Sequence, residues 1–326
     1  MKPVPADILA SLAKRFGYHA DQLKHLGGGR EDSDGITYKT ERAGVPFVLK
    51  IVGASAKDPD SAGKIEARAA FFSYLGEHGV DVVAPVVNDD GHLIEMCDAG
   101  DERFIAYTYP FLTGVHPDPS TWTEETLIAW GRTIGRAHRL TQSYPVWAGF
   151  PSSATGKTLL NWQQEVDGFH QWCSDGEVKT CWLLLKDRLE KLPFTRETGG
   201  FIHNDPHMQN VLVDGGRVKL LDFDVANCHF FACDVAIAIQ SVLFTTAGGM
   251  ERPVDNRDAL TFFVDALLKG YREAMDVPGD FLDQVELFIA YRRALLFTVM
   301  GDWLASQPEL FAAWKRRVLD EPKVLA

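Results

Sequence analysis

Asp205 stands five residues before Asn210 in Phe201-Ile202-His203-Asn204-Asp205-Pro206-His207-Met208-Gln209-Asn210, and Asp222 closes the apolar run Val218-Lys219-Leu220-Leu221. These types suit phosphoryl transfer. Moving a phosphoryl group from a nucleotide to an alcohol needs an acceptor for the hydroxyl proton and hard oxygen ligands for Mg²⁺. Asp205 is the candidate catalytic base, and His203 is expected to pack beneath the loop and hold it. Asn210 and Asp222 are the candidate metal pair. Gly215-Gly216, between Leu212-Val213 and Val218-Lys219-Leu220, lets two strands reverse, so Asn210 and Asp222 become neighbours.

Nucleotide phosphates also need a cation. Lys50 sits in Val48-Leu49-Lys50-Ile51, an otherwise apolar strand pattern, so its ammonium must reach a partner. Glu66 on the next helical stretch can pair with it, with Glu77 as the alternative. The segment Gly27 to Gly35 reads as a glycine-rich turn over the phosphates, with Ser33 as an added donor. Plainer roles stand beside these: a snorkelling lysine for Lys50, a loop cap for Ser33, and loop packing for His207.

Positioning these residues requires a strand-rich first third and a helical remainder. Ile8, Leu9, Leu12 and Phe16 have helical spacing. Ile36 to Thr40 and Pro46 to Val52 read as a hairpin turning at Ala43-Gly44. Gly63 to His78 is helical, with Ile65, Ala69, Phe72 and Leu75 on one face. Val80 to Val87, His92 to Met96 and Phe104 to Leu112 read as strands. At Thr113-Gly114 the character changes, giving a nucleotide-binding lobe over 1–112 and a catalytic, substrate-binding lobe over 113–326. Thr121-Trp122-Thr123-Glu124 fits a capping box. Further helices are expected at 161–176, 178–192, 232–246, 257–275, 280–298 and 302–319.

With 33 Lys plus Arg against 45 Asp plus Glu, the net charge of -12 argues against general affinity for nucleic acid or anionic membrane. The 5 cysteines form no CxxC pair and suit reduced thiols. No signal-peptide pattern opens the chain and no apolar run spans a bilayer, so the expected location is cytoplasmic.

Taken in order, these motifs resemble the aminoglycoside phosphotransferase and choline kinase-like family of the protein-kinase-like superfamily. The family's His-x-Asp-x-x-x-x-Asn loop matches His203, Asp205 and Asn210; its metal aspartate matches Asp222, and its lysine and helix glutamate match Lys50 and Glu66. The resemblance implies a bilobal α+β fold with an antiparallel-sheet N-lobe and a mainly helical C-lobe. It also implies that Asp234 braces the catalytic loop, for which helix capping is the plainer role, and that adenine contacts the chain around Tyr109 and Phe111. Asp224 stands where protein kinases carry Gly and no Ala-Pro-Glu follows, which disfavours a Ser/Thr protein kinase.

The expected activity is Mg²⁺-dependent transfer from ATP or GTP to a hydroxyl of a small molecule such as an aminoglycoside, choline, homoserine or a related amino-alcohol or sugar. Glu251, Asp255, Asp258 and Asp302 would suit a cationic acceptor, and Arg292-Arg293 the opposite. Trp303 and Trp314 fit a core better than a substrate pocket. The alternatives are a nucleotide-binding regulatory pseudokinase and a metal-dependent hydrolase built on His203, Asp205, His207 and His229. A P-loop at Gly156-Lys157-Thr158 fails because Pro151 takes the first glycine's place. Oligomeric state does not follow from the sequence.

Overall fold

The structure, a computed structural model, describes residues 3–29, 35–118, 122–144, 161–246, 257–320 and 323–325. Ser33, Thr121, Gly156-Lys157-Thr158, Glu251 and Asp255 lie outside them. The described residues form two compact units, one up to Gly114 and one from Val115 onward. The fold is α+β, with an antiparallel sheet in the first unit and mainly helices in the second.

In the first unit, helix α1 (Ala6–Arg15) precedes strands β1 (Lys24–Gly28), β2 (Gly35–Arg42) and β3 (Val45–Ser55). Helix α2 (Ser61–Glu77) leads to β4 (Glu95–Ala99) and β5 (Glu102–Pro110). The sheet order is β1-β2-β3-β5-β4. Side chains alternate along a strand, so Leu49 and Ile51 take one face of β3 and pack with Leu12, Phe16, Phe104 and Ala106. Lys50 therefore takes the other face. On α2 the stripe Ile65, Ala69, Phe72 and Leu75 is buried, as its spacing predicts.

Two strand expectations here need correction. Val80 to Val87 is not a strand: Pro85 has no N–H to give, and pairing is confined to a single bridge residue at Val82 and the bond from Val86 N to Thr108 O at 2.9 Å. Strand β4 starts at Glu95 rather than His92, because Asn88 Oδ1 accepts from Asp90 N at 3.1 Å and His92 N at 2.8 Å, closing a turn over those residues.

The second unit contains α3 (Glu124–Thr141), α4 (Trp162–Trp172), α5 (Gly176–Glu190), β6 (Gly199–Ile202), β7 (Val211–Asp214), β8 (Arg217–Leu220) and β9 (Asn227–Phe230). Helices α6 (Phe231–Thr246), α7 (Arg257–Ala274), α8 (Phe281–Val299), α9 (Gly301–Ala305) and α10 (Pro308–Leu319) complete it. The cap of α3 is Thr123, which accepts from Thr126 N, rather than Thr121. The expected helix 161–176 stops at Trp172 because Asp175 caps α5, accepting from Glu177 N at 3.0 Å and Val178 N at 3.1 Å. Pro308 likewise divides the expected 302–319 helix, since the residue before a proline avoids helical geometry.

Helices α3 and α7 approach backbone to backbone. A Cβ on Gly131 would stand 1.8 Å from Leu267 O, and one on Gly270 would stand 1.9 Å from Ile128 O. Only glycine fits at either point. This close packing sets His138 of α3 against Tyr271 of α7, with Nδ1 2.8 Å from the phenol oxygen.

Candidate active site

The hairpin of β7 and β8 pairs Val211 with Leu220 and Asp214 with Arg217. Gly215 and Gly216 form its turn at φ +55° and +80°, both in the left-handed region that a two-residue hairpin loop demands. At the open end Leu221 N donates to Asn210 O at 2.9 Å, which sets Asn210 beside the stretch entering Asp222. Asp222 is exposed and turns the chain at φ +58°, and Asp224 N approaches its Oδ1 at 3.4 Å.

The loop between β6 and β7 carries Asp205, and side chains from distant helices hold it. Asp234, in the first turn of α6, accepts from His203 N at 3.1 Å and Asn204 N at 2.7 Å, and lies 3.0 Å from His138 Nε2. Its carboxylate braces the loop rather than capping α6. Asn204 adopts φ +66°. Its Nδ2 is fixed by Glu165 Oε2 at 2.7 Å, an oxygen that also accepts from Asn227 Nδ2 at 2.9 Å. Glu165 Oε1 takes the Tyr291 hydroxyl at 2.6 Å. Burial pushes the Tyr291 phenol well up, and the adjacent carboxylate adds to this, so it stays a neutral donor.

His203 links loop and hairpin. Its Nδ1 accepts from Asp205 N at 3.3 Å, so its Nε2 carries the proton given to Leu221 O at 2.6 Å. Asp205 is met by Arg292 of α8, by His207 Nε2 at 3.3 Å and by Asn210 Nδ2 at 3.3 Å. Burial alone would raise its carboxyl, but the Arg292 guanidinium and the His207 and His203 rings outweigh burial, and it lies below the ordinary carboxylate value. Because Asn210 spends its NH₂ on Asp205, its Oδ1 is the atom suited to a hard cation.

In the first unit Lys50 is buried and pairs in register with Thr37 and Tyr107, while Tyr109 pairs with Val48. Lys50, Tyr107 and Tyr109 therefore share one sheet face. Glu66 is half-buried in α2, and Glu77 ends that helix. Phe111 follows β5, donates from its N to Pro46 O at 3.0 Å and lies under Lys39 Nζ, 3.8 Å from the ring centroid. The structure thus gathers His203, Asp205, Asn210 and Asp222 at one end of the hairpin, and sets Lys50 and Tyr109 on one sheet face. Sequence reasoning missed Glu165, which no local pattern marks. It noticed Arg292 without placing it on Asp205.

Of the acidic residues considered for a cationic acceptor, Asp258 and Asp302 are among the described residues, and neither bonds to this cluster's side chains. Asp258 and Asp302 are exposed on α7 and α9. Trp314 is buried, whereas Trp303 is 48 % exposed and meets it edge-on.

Residues 24–277 match the sequence model of the phosphotransferase enzyme family. The chain is 25 % identical to amicoumacin kinase of Bacillus subtilis (strain 168) over 323 residues, covering 95 % of this chain and 91 % of that protein. Among solved structures, an amicoumacin kinase in complex with AMP-PNP, Ca²⁺ and Ami superposes with a TM-score of 0.80 at 21 % identity, covering 93 % of this chain and 90 % of the other. A microcompartment-associated aminopropanol kinase gives 0.71 at 19 % identity, covering 97 % and 98 %. These two superpositions concern the fold.

Proposed function

The chain belongs to the phosphotransferase enzyme family, and from that premise we propose that it is a kinase transferring the terminal phosphoryl group of ATP or GTP to a hydroxyl of a small molecule. The observation that carries this reading is the convergence of Asp205, Asn210 and Asp222 at the open end of one hairpin, with the Asp205 loop braced by Asp234. Asp205 orients the acceptor hydroxyl and receives its proton as the new P–O bond forms. Lys50, with Glu66, positions the nucleotide phosphates, and Tyr109 and Phe111 lie where adenine is received. His203 is a positioning residue, since both its ring nitrogens are engaged by the backbone.

The donor chemistry fits Mg²⁺. Asn210 Oδ1 and the Asp222 carboxylate are hard oxygens, and among the described residues no group of three or more His, Cys, Asp and Glu side chains is built to cage a metal. Two protein oxygens suit a cation shared with nucleotide phosphates, and when bound it neutralises charge on them. A hydrolytic metal site on the histidines is disfavoured by their bonding: the His203 nitrogens are spent on Leu221 O and Asp205 N, and His229 Nδ1 accepts from Phe230 N at 2.8 Å.

Relatives named as amicoumacin and aminopropanol kinases support a small acceptor. Among the described residues no helix is long and apolar enough to cross a membrane. A cytoplasmic site of action, where nucleoside triphosphates are supplied, accords with this reading.

The test follows nucleotide consumption and acceptor phosphorylation with Mg²⁺. Asp205→Ala is expected to lower turnover by ~10²–10⁴-fold with nucleotide affinity nearly unchanged. Undiminished turnover would remove Asp205 from the reaction.

A further inference from the structure

Successive residues of the Asp205 loop are held by successive residues of α8. Arg292 meets the Asp205 carboxylate directly, and Tyr291 reaches Asn204 through Glu165 of α4. The Glu165 carboxylate takes three donors: the Tyr291 hydroxyl at Oε1, and the side-chain amides of Asn204 at 2.7 Å and Asn227 at 2.9 Å, both at Oε2. Asn204, Asn227 and Tyr291 are all buried, so water does not readily replace this acceptor. Glu165 is itself anchored. It lies in the first turn of α4, where the capping box of Asn161 and Gln164 closes the helix start and the helix dipole favours a carboxylate.

Asn204 is the point at which this clamp reaches the reacting group. It directly precedes Asp205, and its φ of +66° is one that residues other than glycine rarely adopt. Its N donates to Asp234 at 2.7 Å. Its Nδ2 donates to Glu165 and also to Val225 O at 3.2 Å, in the segment that follows Asp222. Asp234 thus holds the backbone of Asn204, and Glu165 holds its side chain. Between them they fix the peptide leading into Asp205 and tie it to the chain beyond Asp222.

Resting on the kinase reading above, we propose that Glu165 is a positioning residue for phosphoryl transfer, acting on Asp205 through Asn204, with Tyr291 orienting Glu165 in turn. The hydroxyl proton goes to Asp205, and Glu165 exchanges none. Its effect falls on the chemical step, because the direction in which Asp205 meets the acceptor hydroxyl follows the Asn204 peptide, whereas nucleotide positioning is assigned to Lys50.

The test follows phosphate release from Mg·ATP to water and phosphate transfer to ethanolamine and to kanamycin, with nucleotide affinity read separately by titration calorimetry. Glu165→Ala is expected to lower kcat by roughly 10–100-fold, up to the cost of a ~1 Å misplacement, with KM and Kd for Mg·ATP within about 2-fold of the wild type. Glu165→Gln should recover to within roughly 3-fold, since its amide oxygen accepts from both asparagines and its NH₂ meets the Tyr291 oxygen, which accepts as well as donates. Asn204→Gly keeps the left-handed backbone and removes only the tether, so it should reproduce the loss in kcat. The double variant decides. If Glu165 acts through Asn204, adding Glu165→Ala to Asn204→Gly costs no more than about 2-fold further in kcat, whereas a carboxylate that merely stabilises α4 gives both losses in full. Tyr291→Phe removes a single hydroxyl and should lower kcat several-fold, which keeps the clamp testable should Glu165→Ala not fold. Unchanged kcat in Asn204→Gly, additive losses in the double variant, no recovery in Glu165→Gln, or a loss carried by KM for Mg·ATP would each overturn the role while leaving the kinase reading in place. A wild-type chain that binds nucleotide yet passes phosphate to none of the three acceptors, water included, would count against the kinase reading and this role with it.

Discussion

Lys50 and Asp205 are held by different means. Lys50 is fixed by backbone register: β2 and β5 flank its strand, and the opposite face packs on α1. Asp205 sits in a loop whose geometry depends on the Glu165 carboxylate of α4, the Asp234 carboxylate of α6 and the Arg292 guanidinium of α8, far apart in the chain. The first arrangement spreads its support over a regular ladder, so no single side chain decides it. The second concentrates support in buried polar groups, each costly to leave unpaired, and so a single substitution has large leverage.

The sharpest way to break this contrast is Asp234→Ala. Two backbone donors, His203 N and Asn204 N, lose their acceptor in a buried setting, and His138 loses its partner. At ~1–3 kcal/mol for each stranded group, the second unit should lose on the order of 3 kcal/mol, and turnover should fall about 100-fold or more as Asp205 drifts. All 8 tryptophans lie at or beyond Trp122, so their fluorescence in a urea titration reads the second unit alone. Nucleotide affinity, which the proposed function assigns to the Lys50 side, should change little. Retained turnover would show that the loop does not depend on Asp234.

The converse probe of the ladder is Gly35→Ala. A Cβ there would stand 2.9 Å from Ile51 O and 3.4 Å from Lys50 Cε. Neighbours must shift, at ~1–3 kcal/mol, and the lysine shifts with them. Nucleotide KM should rise several-fold while kcat at saturation stays near the wild-type value. A change confined to kcat would mean that Gly35 and Lys50 do not act on nucleotide binding.

The same contrast governs what the sequence reveals. The α+β division, the Lys50 strand and the Gly215-Gly216 hairpin are readable because alternation and turn chemistry are local signals. Boundaries fail where one residue overrides a period, as Asp175 does before α5 and Pro308 before α10. The Asn88 turn displaces β4 in the same way. Glu165 is beyond such reading: it occupies an ordinary position on α4, and its partners Asn204, Asn227 and Tyr291 are brought to it only by the tertiary fold. Arg292 shares that difficulty, since a pair of arginines on a helix says nothing of the carboxylate that one of them meets.

The two units should also differ in the sign of a small pH effect. In the second, His229 is fully buried against the Glu165 cluster, with Glu165 Oε1 3.9 Å from its Nε2. Burial lowers its pKa, and the Glu165 and Asp234 carboxylates only partly oppose this. Unfolding restores a value near 6.5, so below about pH 6.5 the unfolded chain takes up a proton that the folded one refuses, and stability falls with pH by at most ~1.4 kcal/mol per unit. In the first unit the exposed His92 is raised, chiefly by its hydrogen bond to Glu95, so its contribution is present at low pH and is lost as pH climbs through the folded value. Tryptophan-monitored urea midpoints between about pH 5.5 and 7.5 should therefore decline on the acid side. His229→Asn should flatten the decline, because its Oδ1 can accept from Phe230 N as Asn227 Oδ1 accepts from Cys228 N at 2.8 Å. Should the slope persist in His229→Asn, the proton belongs to another group, and the buried cluster around Glu165 is insensitive to pH in this range.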